Sequence, residues 1–317
     1  MSNRVVAPGV GFTVYDPGPG SDLLPLLESP EAAELLRASD HVTLHTHADA
    51  SDVRAAQQLR ARHPHLRVWL ACPANYLSRM DLERGRATVL LEVSRVARIA
   101  ADAAVEVLEW NGEGASSGTV AGDWTSAAGD SRERARLATL GTAVLQASRM
   151  GFAGALAWTS HDGVRSFAVP RSVLAHVDLH APQHYPAAPG QTASQRTLER
   201  RIAWSAGQWD VLVREGACPP GTAPWGESWS PYLQGHGHSL GALVWGLSVA
   251  RTGRLWAFPR SWDHGVARDA LRLARALRAR VGFGPSAVED WQASQGLEPD
   301  GVVGPRTLRS LELAASS

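Results

Sequence analysis

"HVTLHTHADASDVRAAQQLRARHPHLRVWLACP", His41 to Pro73, sets two short, largely apolar runs on either side of a polar stretch rich in Ala and Arg. HVTLHTH (His41–His47) and LRVWLACP (Leu66–Pro73) read as strands, and ASDVRAAQQLRARH between them reads as a helix. Strands that are apolar almost throughout are covered on both faces, and joining them through helices makes the sheet parallel. The unit recurs along the chain. GVGFTVYD (Gly9–Asp16) and a Leu-rich helix interrupted by Pro30 precede it. VEVLEW (Val105–Trp110), GALAWTSHD, AHVDLHAP, TAPWGESWS (Thr222–Ser230) and RLWAFP (Arg254–Pro259) follow as further strands, most of them separated by long amphipathic stretches. Eight such units in about 260 residues match an α/β fold of the (β/α)₈ TIM-barrel kind. A doubly wound open sheet is the rival, but the Gly-rich first turn, YDPGPGSD, lacks the spacing of the dinucleotide fingerprint.

Beyond Pro259 the pattern becomes helical. HGVARDALRLARALRARVG (His264–Gly282), SAVEDWQASQG (Ser286–Gly296) and GPRTLRSLELA read as three helices. The expected organisation is a barrel over residues 1–263 and a small all-α three-helix module over residues 264–317. The first of these helices could equally serve as the eighth outer helix of the barrel.

Composition narrows the function classes. The formal net charge of the 317 residues is zero, which gives no basic footprint for nucleic acid. All 31 basic residues are Arg, so no Lys is present to act as a Schiff base or general base. Two cysteines, Cys72 and Cys218, are too few for a disulfide framework, and the sequence leaves open whether they pair. No apolar run is long enough to span a membrane, and the start lacks the pattern of a secretory signal. The expectation is a monomer made in the cytoplasm, with no nucleic-acid or membrane partner.

The segment AVEDWQASQGLEPDGVVGPRTLRSL resembles the peptidoglycan-binding module at the ends of many bacterial and phage cell-wall hydrolases. The pattern is a helix ending in Gln, a Gly-Leu turn, an Asp-Gly…Gly-x-x-Thr loop and a last helix. Gly301 and Gly304 permit backbone angles closed to other residues, Asp300 can bond nearby amides, and Thr307 can brace the turn. The resemblance implies wall contact near Trp291, Gln292, Asp300, Gly301 and Thr307. It also implies delivery to the wall after synthesis, as for an endolysin released by a partner protein.

In a barrel of this kind, function sits on the loops after the strand C-termini. Alternation along VEVLEWNGEG puts Glu109 on the interior face with Val105 and Val107, and Glu113 in the loop above. Glu227 lies between Trp225 and Trp229 in PWGESW. Glycoside hydrolysis needs two carboxyl groups in different protonation states. Glu109 and Glu113 are therefore the expected acid and partner, Glu227 the reserve, and Asp178 an orienting or charge-stabilising group. Asp16, His45, His47, Asn75, Tyr76, Trp110, His180, Tyr185, Trp225 and Trp229 would line the groove.

This layout is similar to the barrel glycosidases, including lysozyme-type muramidases. LEWNGE lacks the muramidase Asp-x-Glu at strand four, and Gly112 separates Asn111 from Glu113, so the resemblance carries the architecture and the carboxylate logic. The substrate implied is the glycan strand of peptidoglycan, cut without metal or cofactor. Two other readings stand beside it. His45 and His47, with His161, His180 and Asp263, resemble the metal ligands of amidohydrolase barrels, which would make a metal-dependent wall amidase. A non-catalytic wall-docking barrel is the third.

Overall fold

A computed structural model describes residues 5–15, 23–112, 131–161, 173, 175–184, 194–214, 230–234, 238–257 and 264–316. Eight parallel strands close into a barrel in sequence order, with β1 returning to β8. They are β1 (Gly9–Tyr15), β2 (His41–His45), β3 (Arg67–Pro73), β4 (Val107–Asn111), β5 (Ala155–His161), β6 (Leu179–His184), β7 (Tyr232–Gln234) and β8 (Thr252–Ala257). Between them run α1 (Leu24–Leu27), α2 (Pro30–Ala38), α3 (Ala50–Arg62), α4 (Asn75–Arg84), α5 (Arg86–Asp102), α6 (Ser131–Gly151), α7 (Gln195–Arg214) and α8 (Leu240–Val249). The chain ends in α9 (His264–Val281), α10 (Ala287–Ser294) and α11 (Pro305–Ser316).

Local chemistry explains where the helices begin. Ser29 accepts the amide of Ala32 and is followed by Pro30, whose missing N–H is harmless in the first turn. Asp49 and Asp52 form a reciprocal capping box at α3. Alternation then sorts the side chains of each strand. Val10, Phe12, Val42, Leu44, Leu108, Trp110, Leu156 and Trp158 belong to the outer core beneath the helices, while Trp69, Val107, Ala155, Ala157 and Leu179 share a separate interior cluster.

Two strands differ from their sequence assignment. The sixth begins at Leu179 rather than in Ala175–Asp178, and the seventh is the three-residue Tyr232–Gln234. Most of the stretch read as strand seven, including Trp225, Glu227 and Trp229, lies outside the described residues. Helix α8 had no counterpart in the sequence reading. It is apolar, buried along its whole length, and packed against α7 and α9.

Helix α9 packs against α8, α2 and β1, as the outer helix closing the ring does, and also against α10 and α11. A boundary at residue 263/264 therefore hands to the terminal module a helix that both units use. The terminal loop meets the barrel directly. Gln195, the first residue of α7, donates to the Gly301 carbonyl (2.7 Å) and accepts the Val303 amide (2.9 Å). Gly241 gives Val303 its place, since a Cβ there would stand 2.3 Å from the Val303 carbonyl oxygen. Both contacts lie in the first turns of helices that follow strands, which is the end of the barrel where the strand C-termini open. Gly241→Ala should release this dock. The expected sign is faster tryptic cleavage at Arg306 and Arg309 with an unchanged far-ultraviolet spectrum, and equal resistance to trypsin would contradict it.

Among the described residues, no helix is long and apolar enough to cross a membrane.

Candidate functional site

The barrel interior is polar at its centre. Glu109 on β4 and Arg254 on β8 form an ion pair at 2.5 Å with both side chains fully buried. The Thr159 hydroxyl donates to the other Glu109 oxygen, and Arg254 Nη1 donates to Thr43 Oγ1 at 3.0 Å. The guanidinium carbon lies 4.7 Å from the Trp69 ring centroid, and the His41 ring stacks on the same indole at 4.2 Å. Gly11 makes room for this assembly, because a Cβ there would approach the His41 ring to 2.6 Å. Burial, with smaller contributions from Arg67 and Arg254, pushes His41 well below its ordinary pKa, so it adds no second cation beside the Arg254 guanidinium. Desolvating two charges is tolerable only when attraction and further hydrogen bonds offset it, and here both partners have them.

Above this layer the strand ends form the mouth. Asn111 is the next interior-facing position after Glu109, and its carbonyl accepts the Ala74 amide at 2.7 Å. The Tyr15 and His45 rings lie 5.0 Å apart, and the His47 and Tyr76 rings 6.0 Å apart. The turn after β2 is braced from several sides. Thr46 donates to Asp52 at 2.7 Å and accepts the Ala48 amide at 2.9 Å. Arg95 donates to the carbonyls of Ala48 and His47, and is itself paired with Glu92 at 2.7 Å. Tyr76 donates to Glu92 at 3.2 Å. Ala48 sits at φ +56°, a left-handed conformation that a non-glycine residue holds only when its surroundings over-determine it. The brace sets His47 and Tyr76 at the rim, both half-buried.

The expected site residues fall into separate places. His45, His47, Asn75 and Tyr76 gather at the mouth beside β2 and β3. Glu109 does not reach it: the carboxylate expected to touch substrate lies one interior position below the strand end, held by Arg254. Asp178, expected at the rim, lies at the opposite end. It precedes β6, accepts the Leu156 amide at 2.8 Å and pairs with Arg149. Trp110, expected in the groove, faces the helices and donates to Ser148 of α6 at 3.0 Å. His180, also expected in the groove, alternates with interior Leu179 and is in register with outward Trp158. Asp16, Glu113, Tyr185, Trp225, Glu227 and Trp229 lie outside the described residues.

The histidine reading changes as well. Strand β2 ends at His45, so His47 belongs to the following turn and the two rings face different neighbours. Asp263 and the His161 side chain lie outside the described residues, among which no three His, Cys, Asp or Glu side chains group as metal ligands. Cys72 is a buried free thiol. Sequence reasoning passed over Arg254 and Thr43. A lone Arg inside an apolar strand was the available signal, because such a charge needs a buried partner.

Buried histidines give the protein an acid limit. Desolvation, then His47 and Arg254, lowers His45 to about 3. Desolvation, then His238 and Arg201, lowers His184 to about 3. The unfolded chain binds these protons near pH 6.5 and the folded chain does not. Stability from neutral His45 and His184 is therefore complete above that pH and is lost as pH falls toward 3. The slope is about 1.4 kcal/mol per pH unit for each group. Urea midpoints measured from about pH 6.5 down to about pH 5 should fall steadily, and a flat profile would contradict this.

In the terminal module, Trp291 and Gln292 are core residues, not the exposed wall contacts expected of them. Trp291 is fully buried and donates to Ser310 at 2.9 Å. Gln292 accepts the Gly301 amide (2.9 Å) and donates to Asp300 (2.7 Å) and the Val302 carbonyl (3.0 Å). Thr307 is buried and bonds the Val302 carbonyl at 3.2 Å. Gly301 has φ +71°, and a Cβ there would meet Glu289 at 2.6 Å. Asp300 alone of the five is exposed.

Comparison with known proteins gives separate matches for the barrel and for the terminal segment. The barrel is similar in fold to a GH5-4 broad-specificity endoglucanase from Clostridium longisporum. The TM-score is 0.52 at 12% identity, covering 85% of this chain and 98% of that one. A GH113 β-1,4-mannanase matches with TM-score 0.53 at 11% identity, covering 86% and 98%. A chitinase from Rhizomucor miehei matches with TM-score 0.51 at 12% identity, covering 83% and 98%. At such identities the likeness shows the fold, a (β/α)₈ barrel of the form glycoside hydrolases use. Residues 286–311 match the family described as "Putative peptidoglycan binding domain". No curated protein sequence matches the chain.

Proposed function

We propose that this chain is a cell-wall hydrolase that cuts glycosidic bonds in the glycan strands of peptidoglycan. The observation that carries the reading is the dock. The segment matching the peptidoglycan-binding family is bonded to Gln195 and packed against Gly241 at the end of the barrel where the strands open. A polymer held by the module would therefore lie beside the barrel mouth, where His47, Asn75, Tyr76 and Asn111 offer donors and acceptors for sugar hydroxyls.

Hydrolysis needs one carboxyl group to protonate the leaving oxygen and another to act as base or nucleophile. With Glu109 engaged by Arg254 below the mouth, the acid and its partner are assigned to Glu113, two residues past the end of β4, and Glu227, ahead of β7. Glu109 ties β4 to β5 inside the barrel through the Thr159 hydroxyl. Mass analysis of digested sacculi tests the reading. New reducing ends support it, freed amines point to an amidase, and intact material still carrying bound protein points to a docking barrel. The last alternative draws support from the same ion pair, because it neutralises Glu109, the interior carboxylate nearest the mouth among the described residues.

A further inference from the structure

We propose that a groove beside the Asp300 loop takes the peptide arm of peptidoglycan rather than its sugar chain. This rests on the wall-binding reading and specifies what part of the polymer the module holds.

The first observation concerns what the module lacks. Sugar rings present CH faces that pack on exposed aromatic rings. From Ser286 to the end of the chain Trp291 is the single aromatic residue, and its ring is fully buried in the module's core. The segment from Ser286 onward therefore has no aromatic platform for a sugar ring.

The second concerns what it has. A groove of about 450 Å³ runs along the loop from Leu297 to Arg306, over a floor that includes Gln292 and Thr307. That volume lies within the roughly 300–1,000 Å³ usual for small-ligand sites. Leu297, Val302 and Pro305 supply apolar lining, Asp300 and Glu298 negative charge, and Arg306 positive charge. Val302 is an apolar side chain left 51% exposed in the middle of this set. The Asp300 carboxylate is fixed by Gln292 and by the Val302 amide, which also hold it below its ordinary pKa. The opposite side of the loop is closed by Gln195 and Gly241, so the groove is the open side.

Charges of both signs around apolar lining complement a short peptide with small side chains, carboxylates and a free amine. The wall's peptide arms have this chemistry and its uncharged amino-sugar backbone does not. Electrostatic complementarity would set which part of the polymer seats there and in what direction.

The test is binding of the full chain to sacculus material tethered to beads through its glycan strands, before and after an amidase has stripped the peptide arms. The expected result is binding weakened at least about tenfold on the stripped glycan. Arg306→Glu and Val302→Asp, both at exposed positions, should weaken binding to intact sacculi by a similar factor while leaving the thermal melt unchanged. Equal binding to stripped and intact sacculi would overturn the peptide assignment and leave wall binding standing. Peptide-dependent binding that survives both substitutions would overturn the groove as its location. Binding to neither material would overturn the wall-binding reading along with it.

Discussion

Glu109→Ala should destabilise the protein by about 3–5 kcal/mol, because it leaves the Arg254 guanidinium buried without its counter-charge. Both side chains are fully buried, so water cannot take the place of the missing carboxylate. The Thr159 hydroxyl would lose its acceptor in the same change. Part of the attraction between Arg254 and Trp69 would remain, but a cation over an aromatic ring gives only about 0.5–2 kcal/mol. The double variant Glu109→Leu with Arg254→Met should recover the parent's stability or exceed it, since an apolar pair of similar volume needs no desolvation. Urea midpoints for the parent, Glu109→Leu, Arg254→Met and the double variant complete the cycle. Additive losses in the double variant would show that the two side chains do not act as a pair.

Glu113→Gln should reduce sugar release from sacculi by about 10²–10⁴-fold, the range a general acid or base commonly contributes. Sedimentation with sacculi should stay at the parent's level, because the substitution removes a proton-transfer group and leaves the docked module untouched. The contrast with Glu109→Ala separates chemistry from folding. One change should abolish lysis in a stable protein, and the other should lower stability. If Glu113→Gln lyses as well as the parent, the role given to Glu113 falls, and loss of lysis in Glu227→Gln would leave only Glu227 in place.

The barrel was legible because its signal is repeated. Apolar runs such as Val68–Cys72 and Ala155–Trp158 alternate with helices, and a parallel sheet covered on both faces is what such runs form. The terminal loop was legible for another reason. Asp300, Gly301 and Thr307 act through contacts within a few residues of one another, which sequence spacing can express.

The less legible features depend on distance along the chain or on boundaries. Alternation placed Glu109 on the interior face of β4, but its depth depends on a partner 145 residues away. Asp178 was assigned to the wrong end because β6 starts at Leu179, and a short shift in a strand's ends carries a residue from the mouth to the floor. Strand β7, three residues long, has too little sequence for a pattern. Helix α8 shows no amphipathic stripe because it is covered on every side. In the module, Trp291 and Gln292 have the residue types of a binding surface, and only the packing reveals that they build its core.

The central claim, that this barrel cuts the sugar chain of the wall to which its terminal module holds it, is tested most directly by mass analysis of purified sacculi after digestion. The account predicts fragments with new reducing ends, absent from the Glu113→Gln digest. Freed amino groups with the glycan chain intact, or no fragments at all from protein that still sediments with the sacculi, would contradict it.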